Sequence, residues 1–179
     1  MFIIIGLLRA PHTDDIELGC GATMARILEE GDAEIDVAVF STASDPPPPP
    51  LAKTALRDEF YAAMKILGVK KNRLTVYDYA VRKLSYNRQD VLEELVKLRK
   101  SIDPDVVFLP SGEDLHQDHQ TLSLEGLRAF KEITVWGYEL PWNTITFPSE
   151  RINRVFLSRK ELGYKKFRKI DMLVLCHYL

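Results

Sequence analysis

The sequence predicts an α/β fold with a mostly parallel β-sheet, and two features of the chain support this prediction. Short apolar runs typical of buried strands alternate along the chain with longer segments of helical periodicity. Polar clusters containing histidine and aspartate follow two of these runs, at the strand ends where ligands bind in this fold class. With 179 residues, the chain is long enough for one such domain with a full core. We therefore expect a single domain over residues 1–179.

The composition is that of an ordinary globular protein, with 46% hydrophobic and 28% charged residues. Its 24 basic and 26 acidic residues give a net charge of -2, which excludes a global field that attracts nucleic acid or anionic membranes. The apolar start over residues 2–8 is too short to span a bilayer and lacks a signal-peptide cleavage site. Cys20 and Cys176 form neither a disulfide framework nor a cysteine-based zinc site. We expect a cytoplasmic protein with a small-molecule partner.

The first half of the chain predicts three strands that alternate with two helices. Both helical segments carry apolar residues at helical spacing and end at a glycine, Gly31 or Gly68, suited to a helix C-terminus. Five consecutive prolines, residues 46–50, exclude a helix or central strand and favour a polyproline II spacer, with a pocket-rim loop as the alternative. The predicted elements are a strand over residues 2–8, a helix over 22–30, a strand over 35–40, a helix over 53–67 and a strand over 74–76.

The second half continues the same alternation and then becomes strongly basic. The basic segment, residues 158–170, is read as a solvated helix face, and nucleic-acid binding is the lesser alternative. The predicted elements are a helix over residues 87–102, a strand over 106–109, a helix over 121–132, a strand over 135–138, a strand over 154–157 and the basic helix.

The two polar clusters point to a metal site at one edge of the sheet. They hold three of the four histidines of the chain. Catalytic zinc takes three protein ligands, typically histidine and carboxylate, and keeps one position for water. A carboxylate that does not bind the metal can accept a proton as the water attacks a carbonyl. The alternative is that the acidic pair only caps the following helix. The candidate groups are His12, Asp14, Asp15, His116, Asp118 and His119.

These two motifs carry a family resemblance. Residues 11–21 (PHTDDIELGCG) together with residues 116–119 (HQDH) resemble the LmbE/PIG-L family of zinc-dependent N-acetylglucosaminyl deacetylases. Residues 56–59 (LRDE) and 67–69 (LGV) look like the second helix of that family. The similarity runs from the first strand to about residue 130, and the paired motifs are far more specific than either alone.

The resemblance implies a Rossmann-like, three-layer α/β/α fold with a mostly parallel sheet, as a single LmbE-like domain over residues 1–179. It implies a Zn²⁺ cofactor, with another divalent metal left open. The implied reaction is removal of the N-acetyl group from an N-acetylglucosaminyl-type small molecule through a zinc-activated water. It allows a homo-oligomer because family members often assemble, while the net charge and the short apolar start already predict no nucleic-acid partner and no membrane span.

The resemblance also implies a role for each candidate residue. The implied metal ligands are His12, Asp15 and His119. Asp14 would be the general base, and His116 would stabilise the tetrahedral oxyanion and protonate the leaving amine. Asp118 would orient His116 and tune its charge. Arg57 would bind the substrate.

The chain departs from the family pattern at two motif positions and at its end. Thr13 stands where proline is most frequent, and Ala22 replaces a common glycine. Residues 173–179 are an apolar tail, and the C-terminal part is shorter than in most family members. In those members a further C-terminal segment helps to enclose the substrate, so we expect the far wall of the substrate pocket to differ here. Alternatives are an amidase or deacylase of another amino-sugar conjugate and a catalytically degraded, metal-binding member. A receiver domain phosphorylated on Asp78 would leave His12 and residues 116–119 unexplained.

Overall fold

The structure is a computed structural model that describes residues 4–31, 33–44, 49–144 and 176–178. The strands are β1 (Ile4–Ala10), β2 (Ala33–Val39), β3 (Leu74–Val76), β4 (Val106–Pro110), β5 (Thr134–Tyr138) and β6 (Cys176–Tyr178). The helices are α1 (Asp15–Glu30), α2 (Ala55–Ile66), α3 (Arg88–Ile102) and α4 (Gln117–Ala129), with short 3-10 segments at Lys71–Arg73, Leu84–Asn87 and Pro141–Asn143.

The six strands form one sheet in the order β3-β2-β1-β4-β5-β6. The first five are mutually parallel, and only β6 runs antiparallel to its neighbour β5. Leu8 in β1 lies opposite both Val37 in β2 and Phe108 in β4, so β1 is a central strand. The chain order reverses between β1 and β4, and the crevice at such a reversal is the usual ligand site of an open α/β sheet.

Helices cover both faces of this sheet, because successive side chains of a buried strand point to opposite sides. Leu8 belongs to a core with residues of α1 and α2, whereas Leu7 belongs to a core with residues of α3 and α4. In β4, Phe108 belongs to the same core as Leu8, and Val107 belongs to the same core as Leu7. The expected three-layer α/β/α fold with a mostly parallel sheet is therefore confirmed.

Two helix starts differ from the sequence prediction. Helix α1 begins at Asp15 rather than at residue 22, and its helical geometry is interrupted at Cys20, with φ -146° and ψ 16°. Helix α4 begins at Gln117 rather than at residue 121 and ends at Ala129 rather than at residue 132. Both first turns carry polar side chains that face the crevice, so they lack the apolar spacing from which helices are inferred. The other strands and helices of the first 144 residues agree with prediction to within two residues at each end.

Several expectations fall on parts of the chain outside the described residues. These are the strand over 154–157, the basic helix over 158–170 and most of the proline segment. Within the apolar tail, residues 176–178 form β6 at the sheet edge. None of the helices in the described ranges combines the length and apolarity needed to cross a bilayer.

Candidate metal centre

The two polar clusters meet at the carboxyl ends of β1 and β4. These strands are parallel neighbours, so the loops that follow them leave the sheet at the same edge. The first loop leads into α1 and the second into α4. His12 Nε2 lies 3.1 Å from Asp118 Oδ2, although the two residues are 106 positions apart. The parallel pairing of β1 with β4 thus brings the two clusters into one site.

Three side chains converge on a common centre within this site. His12 Nδ1 is 3.3 Å from His119 Nε2 and 3.3 Å from Asp15 Oδ2. His119 Nε2 is 3.4 Å from the other Asp15 oxygen, Oδ1. Asp15 and His119 are buried, with 4% and 1% of their surface exposed, while the His12 side chain is 15% exposed. The three groups therefore form a compact set, in which the two histidines contact different oxygens of the Asp15 carboxylate.

These contacts are short enough for the three side chains to reach one metal ion. Zinc binds histidine nitrogen and carboxylate oxygen at roughly 2.0–2.2 Å, so two tetrahedral ligand atoms lie about 3.3–3.5 Å apart. His116 offers another nitrogen, and one ligand atom from each of the three histidines lies within 4.8 Å of the others. That spacing is looser than the His12, Asp15 and His119 set. The structure thus offers the three histidines as a group that could hold a metal, with the Asp15 carboxylate in contact with two of them.

Asp14 and Asp15 differ in environment although they are adjacent. The Asp15 carboxylate accepts a hydrogen bond from the backbone N–H of His12 at 2.8 Å, which folds the loop back on itself. Asp14 occupies the N-cap position of α1, yet its side chain makes no capping hydrogen bond. It is exposed at the mouth of the site, and partial burial together with the charge of Asp15 raises the pKa of its carboxyl group. The capping interpretation of this pair therefore accounts for neither side chain.

Asp118 contacts a different histidine from the one expected. Its carboxylate pairs with His12, and only its backbone N–H reaches His116 Nδ1, at 3.1 Å. The Asp118 backbone also holds the His116 ring, and the negative charge of Asp118 counteracts the lowering of the His116 pKa by burial, so the expected role of Asp118 toward His116 stays a prediction. The same carboxylate accepts backbone hydrogen bonds from Arg82 at 2.5 Å and Leu84 at 3.1 Å. The sequence alone could not show which histidine the Asp118 carboxylate contacts, because the direction of a side chain on α4 depends on how the helix packs.

The charges of this pair stabilise each other. Burial lowers the pKa of His12, but hydrogen bonds to Asp118 and Asp15 outweigh it and raise the pKa to about 9. Burial raises the pKa of Asp118, but the bond to His12 and the backbone amides of Leu84 and Arg82 hold it below its usual value. His12 and Asp118 therefore each favour the charged form of the other.

His116 is held in a defined orientation on the other side of the centre. Its ring centroid lies 4.8 Å from that of His12 and 4.9 Å from that of His119. Burial, with the neighbouring charges of His12 and His119, lowers the pKa of the His116 imidazole. Because Nδ1 accepts the Asp118 backbone N–H, the neutral ring carries its proton on Nε2. His116 is thus a neutral donor beside the candidate metal ligands.

Asp114 is part of the site, although the sequence assigned it no role. It is 1% exposed, and its Oδ2 lies 2.9 Å from His119 Nδ1. Its Oδ1 accepts the backbone N–H of His116 at 2.8 Å. An aspartate two residues before a candidate histidine was the available signal. It carried little weight alone, because such spacing is common in loops.

Arg57 lies in a separate group at the same edge of the sheet. Its guanidinium is 3.5 Å from Asp78 Oδ1, which also accepts hydroxyl hydrogen bonds from Thr42 and Ser44, both at 2.8 Å. These hydroxyl bonds and the charge of Arg57 outweigh partial burial and hold the pKa of Asp78 below its usual value. Arg57 is therefore near the crevice but paired with Asp78, and not with the three converging side chains. Asp78, Thr42 and Ser44 were not among the predicted site residues.

Known proteins match this chain in both sequence and fold. The family described as PIG-L, GlcNAc-PI de-N-acetylase, matches residues 7–130, which is more than half of the chain. Uncharacterized deacetylase YaiS of Escherichia coli K12 is 30% identical over 154 residues, covering 84% of this chain and 79% of that protein.

Solved structures share the fold at lower identity. N,N'-diacetylchitobiose deacetylase from Pyrococcus horikoshii matches with a TM-score of 0.65 and 20% identity, over 83% of this chain and 62% of that chain. The 4-carboxy-2-hydroxymuconate hydratase GalB from Pseudomonas putida KT2440 matches with a TM-score of 0.63 and 18% identity, over 82% of this chain and 71% of that chain. A fold shared by a deacetylase and a hydratase does not by itself define a reaction, so the reaction has to be argued from the site.

Proposed function

Because this chain belongs to the PIG-L (LmbE-like) family of deacetylases, we propose that it is a zinc-dependent hydrolase that removes the N-acetyl group from an N-acetylglucosaminyl-type substrate. The observation that carries the proposal is the mutual contact of His12 Nδ1, His119 Nε2 and the two oxygens of the Asp15 carboxylate, at 3.3 to 3.4 Å. This spacing supports a tetrahedral divalent metal with one position left for water. Zinc is the metal we propose.

The bound metal would supply a water of lowered pKa and would polarise the acetyl carbonyl. Asp14 accepts the proton of the attacking water, a role that suits a carboxyl group at the mouth of the site that is not engaged in capping. Its raised pKa makes it a stronger base than an ordinary aspartate, and this supports the proposed division of the acidic pair.

His116 acts on the opposite side of the scissile amide. Its Nε2–H donates a hydrogen bond to the oxygen on which negative charge develops, since Nδ1 is already occupied by the Asp118 backbone N–H. The proton that Asp14 takes from the water is the one that the leaving amine needs, so the reaction balances while His116 stays neutral. The expected second role of His116, protonation of the amine, would require a doubly protonated ring, which its lowered pKa disfavours. Asp118 serves the metal ligand His12 in this scheme, through the 3.1 Å contact between its carboxylate and the ring.

Arg57 and Asp78 are the proposed binding groups for the sugar. Together with Thr42 and Ser44 they place a cation, a carboxylate and two hydroxyl groups beyond the ends of β2 and β3. Such polar groups hydrogen-bond sugar hydroxyls while the acetamide faces the metal.

The test is metal analysis of the purified protein paired with amine release from a panel of N-acetylglucosaminides. We expect about one zinc per chain in wild type, and His119→Ala to lose both the bound zinc and deacetylation. Leu124→Ala, on the exposed face of the same helix, is the matched control and should keep both. The assignment fails if His119→Ala retains stoichiometric zinc together with wild-type turnover.

The same panel separates the remaining alternatives. Release of larger acyl groups faster than acetate would identify an amidase or deacylase of another amino-sugar conjugate. Stoichiometric zinc without turnover on any substrate would identify a catalytically degraded member of the family. The PIG-L match leaves the receiver-domain alternative without support, and the Asp78 carboxylate is already engaged by Thr42, Ser44 and Arg57.

A further inference from the structure

Asp114 contacts both histidines of the second motif. It is 1% exposed at the end of the loop between β4 and α4. Oδ1 accepts the backbone N–H of His116 at 2.8 Å, and Oδ2 lies 2.9 Å from His119 Nδ1. Asn143 Nδ2, from the loop after β5, also donates to Oδ2, at 3.4 Å. One buried carboxyl group therefore holds the backbone of one histidine and faces the ring of the other.

The buried Nδ1 of His119 makes no hydrogen bond among the described residues. Its separation from Asp114 Oδ2 is short enough for one, but the ring N–H does not point along the line between the two atoms. A buried ring nitrogen without an acceptor is costly, and Asp114 provides the nearest carboxylate oxygen. A proton held on Nδ1 leaves the lone pair of Nε2 free, and Nε2 is the atom that faces His12 and Asp15.

We propose that Asp114 is a positioning residue that keeps the His119 proton on Nδ1, and thereby makes Nε2 available as a metal ligand. This inference rests on the proposed metal site. Carboxylates that bind the second nitrogen of a ligating histidine fix its tautomer and orientation, and their loss costs about 10- to 100-fold in metal affinity. Asp114 also sets the backbone of His116, so it aligns two side chains that the proposed reaction uses.

Asp114→Asn tests the proposal with little change in shape. The amide oxygen keeps the bond from the His116 backbone, which directs the new NH₂ group toward His119 Nδ1. An N–H donor at that position favours the tautomer with the proton on Nε2, where the metal has to bind. We expect zinc affinity to fall about 10- to 100-fold by competition titration, while the thermal unfolding midpoint of the metal-free protein stays close to wild type.

Two matched variants separate this effect from a general disturbance of the loop. Glu113→Gln makes the same carboxyl-to-amide change at the exposed neighbouring position and should bind zinc like wild type. Asn143→Ala removes the other side chain on Oδ2 and should also leave zinc affinity within about threefold of wild type. If Asn143→Ala lowers affinity as much as Asp114→Asn, the loop and not the tautomer of His119 is responsible, and the proposal is overturned.

A measurement on wild type supplies a second test that does not depend on a stable variant. Two-bond ¹H–¹⁵N NMR spectra of the zinc-loaded protein should show the His119 proton on Nδ1 and a metal-bound Nε2. The proposal is overturned if that proton sits on Nε2, or if Asp114→Asn binds zinc as tightly as wild type while wild type itself loads normally. In the second case the proposed function stands. A wild-type protein that binds no divalent metal overturns both.

Discussion

Gly19 allows the first turn of α1 to pack directly against Tyr138 of β5. A Cβ atom at Gly19 would lie 2.5 Å from Cδ2 and 3.1 Å from Cε2 of the Tyr138 ring. The ring is fully buried, and its hydroxyl donates a hydrogen bond to the backbone oxygen of Arg9 at 3.0 Å. The ring cannot move away without losing that bond, so we expect Gly19→Ala to be destabilising.

The size of the stability loss follows from two contributions that destabilise the variant and one that stabilises it. Forcing a methyl group into a packed core costs about 1–3 kcal/mol, and losing the Tyr138 hydrogen bond costs about 1 kcal/mol more if the ring shifts. Replacing glycine by alanine within a helix recovers roughly 0.5–1 kcal/mol. The net prediction is a loss of about 1–3 kcal/mol in the free energy of unfolding. Steric overlap therefore outweighs the intrinsic helix preference of alanine.

Urea denaturation of a double-mutant cycle measures this effect. Tyr138→Leu removes the ring, so Gly19→Ala should cost much less in that background than in wild type. We expect a coupling free energy of at least about 1 kcal/mol between the two positions. Gly19→Ala that is as stable as wild type, or costs that add without coupling, would refute the packing argument.

Three further predictions concern charge. Arg9 is fully buried with Nε and Nη2 unpaired among the described residues, and burial lowers its pKa to about 9. Arg9→Met should therefore raise the free energy of unfolding by about 1–3 kcal/mol in urea titrations, and a loss of stability would contradict this. Burial raises the pKa of Glu17 from 4.5 to about 7, so the folded state holds more protons than the unfolded state in that interval and loses stability as pH rises through it. Glu17→Gln should gain stability relative to wild type between pH 5 and pH 7.5, and a pH-independent difference would refute the assignment. Asp14→Asn should keep zinc within about threefold of wild-type affinity and lose about 10²- to 10⁴-fold in deacetylation rate, whereas equal losses of zinc and activity would make Asp14 a ligand.

Local sequence patterns were sufficient to predict the order of the strands and helices and to identify the two motifs. Apolar spacing predicts every strand and helix of the first 144 residues, because burial repeats with the period of each element. It failed at the first turns of α1 and α4, where Asp15 and Asp118 face a polar crevice. Apolar spacing therefore predicts secondary structure least well for the residues nearest the site, because their polar side chains interrupt the pattern.

The roles within the site required contacts between distant parts of the chain. Whether the Asp118 carboxylate meets His116 or His12 depends on the direction that α4 takes from β4, since the two histidines lie on different loops. The contact of Asp114 with His119 likewise depends on how the helix turns the ring back toward the loop. The sequence shows which side chains are present, but it does not show the directions in which they point.

By itself, the sequence determined the α/β class, the PIG-L resemblance and the two histidine and aspartate motifs at the carboxyl edge of β1 and β4. Tertiary structure alone decided that His12, Asp15 and His119 lie 3.3 to 3.4 Å apart, that the Asp118 carboxylate contacts His12, and that Tyr138 packs on Gly19. The physical reason is the separation along the chain between the residues that interact. Periodicity and motif spacing report on neighbours within one or two turns, whereas a metal centre forms from side chains that the parallel pairing of β1 and β4 brings together across about a hundred residues.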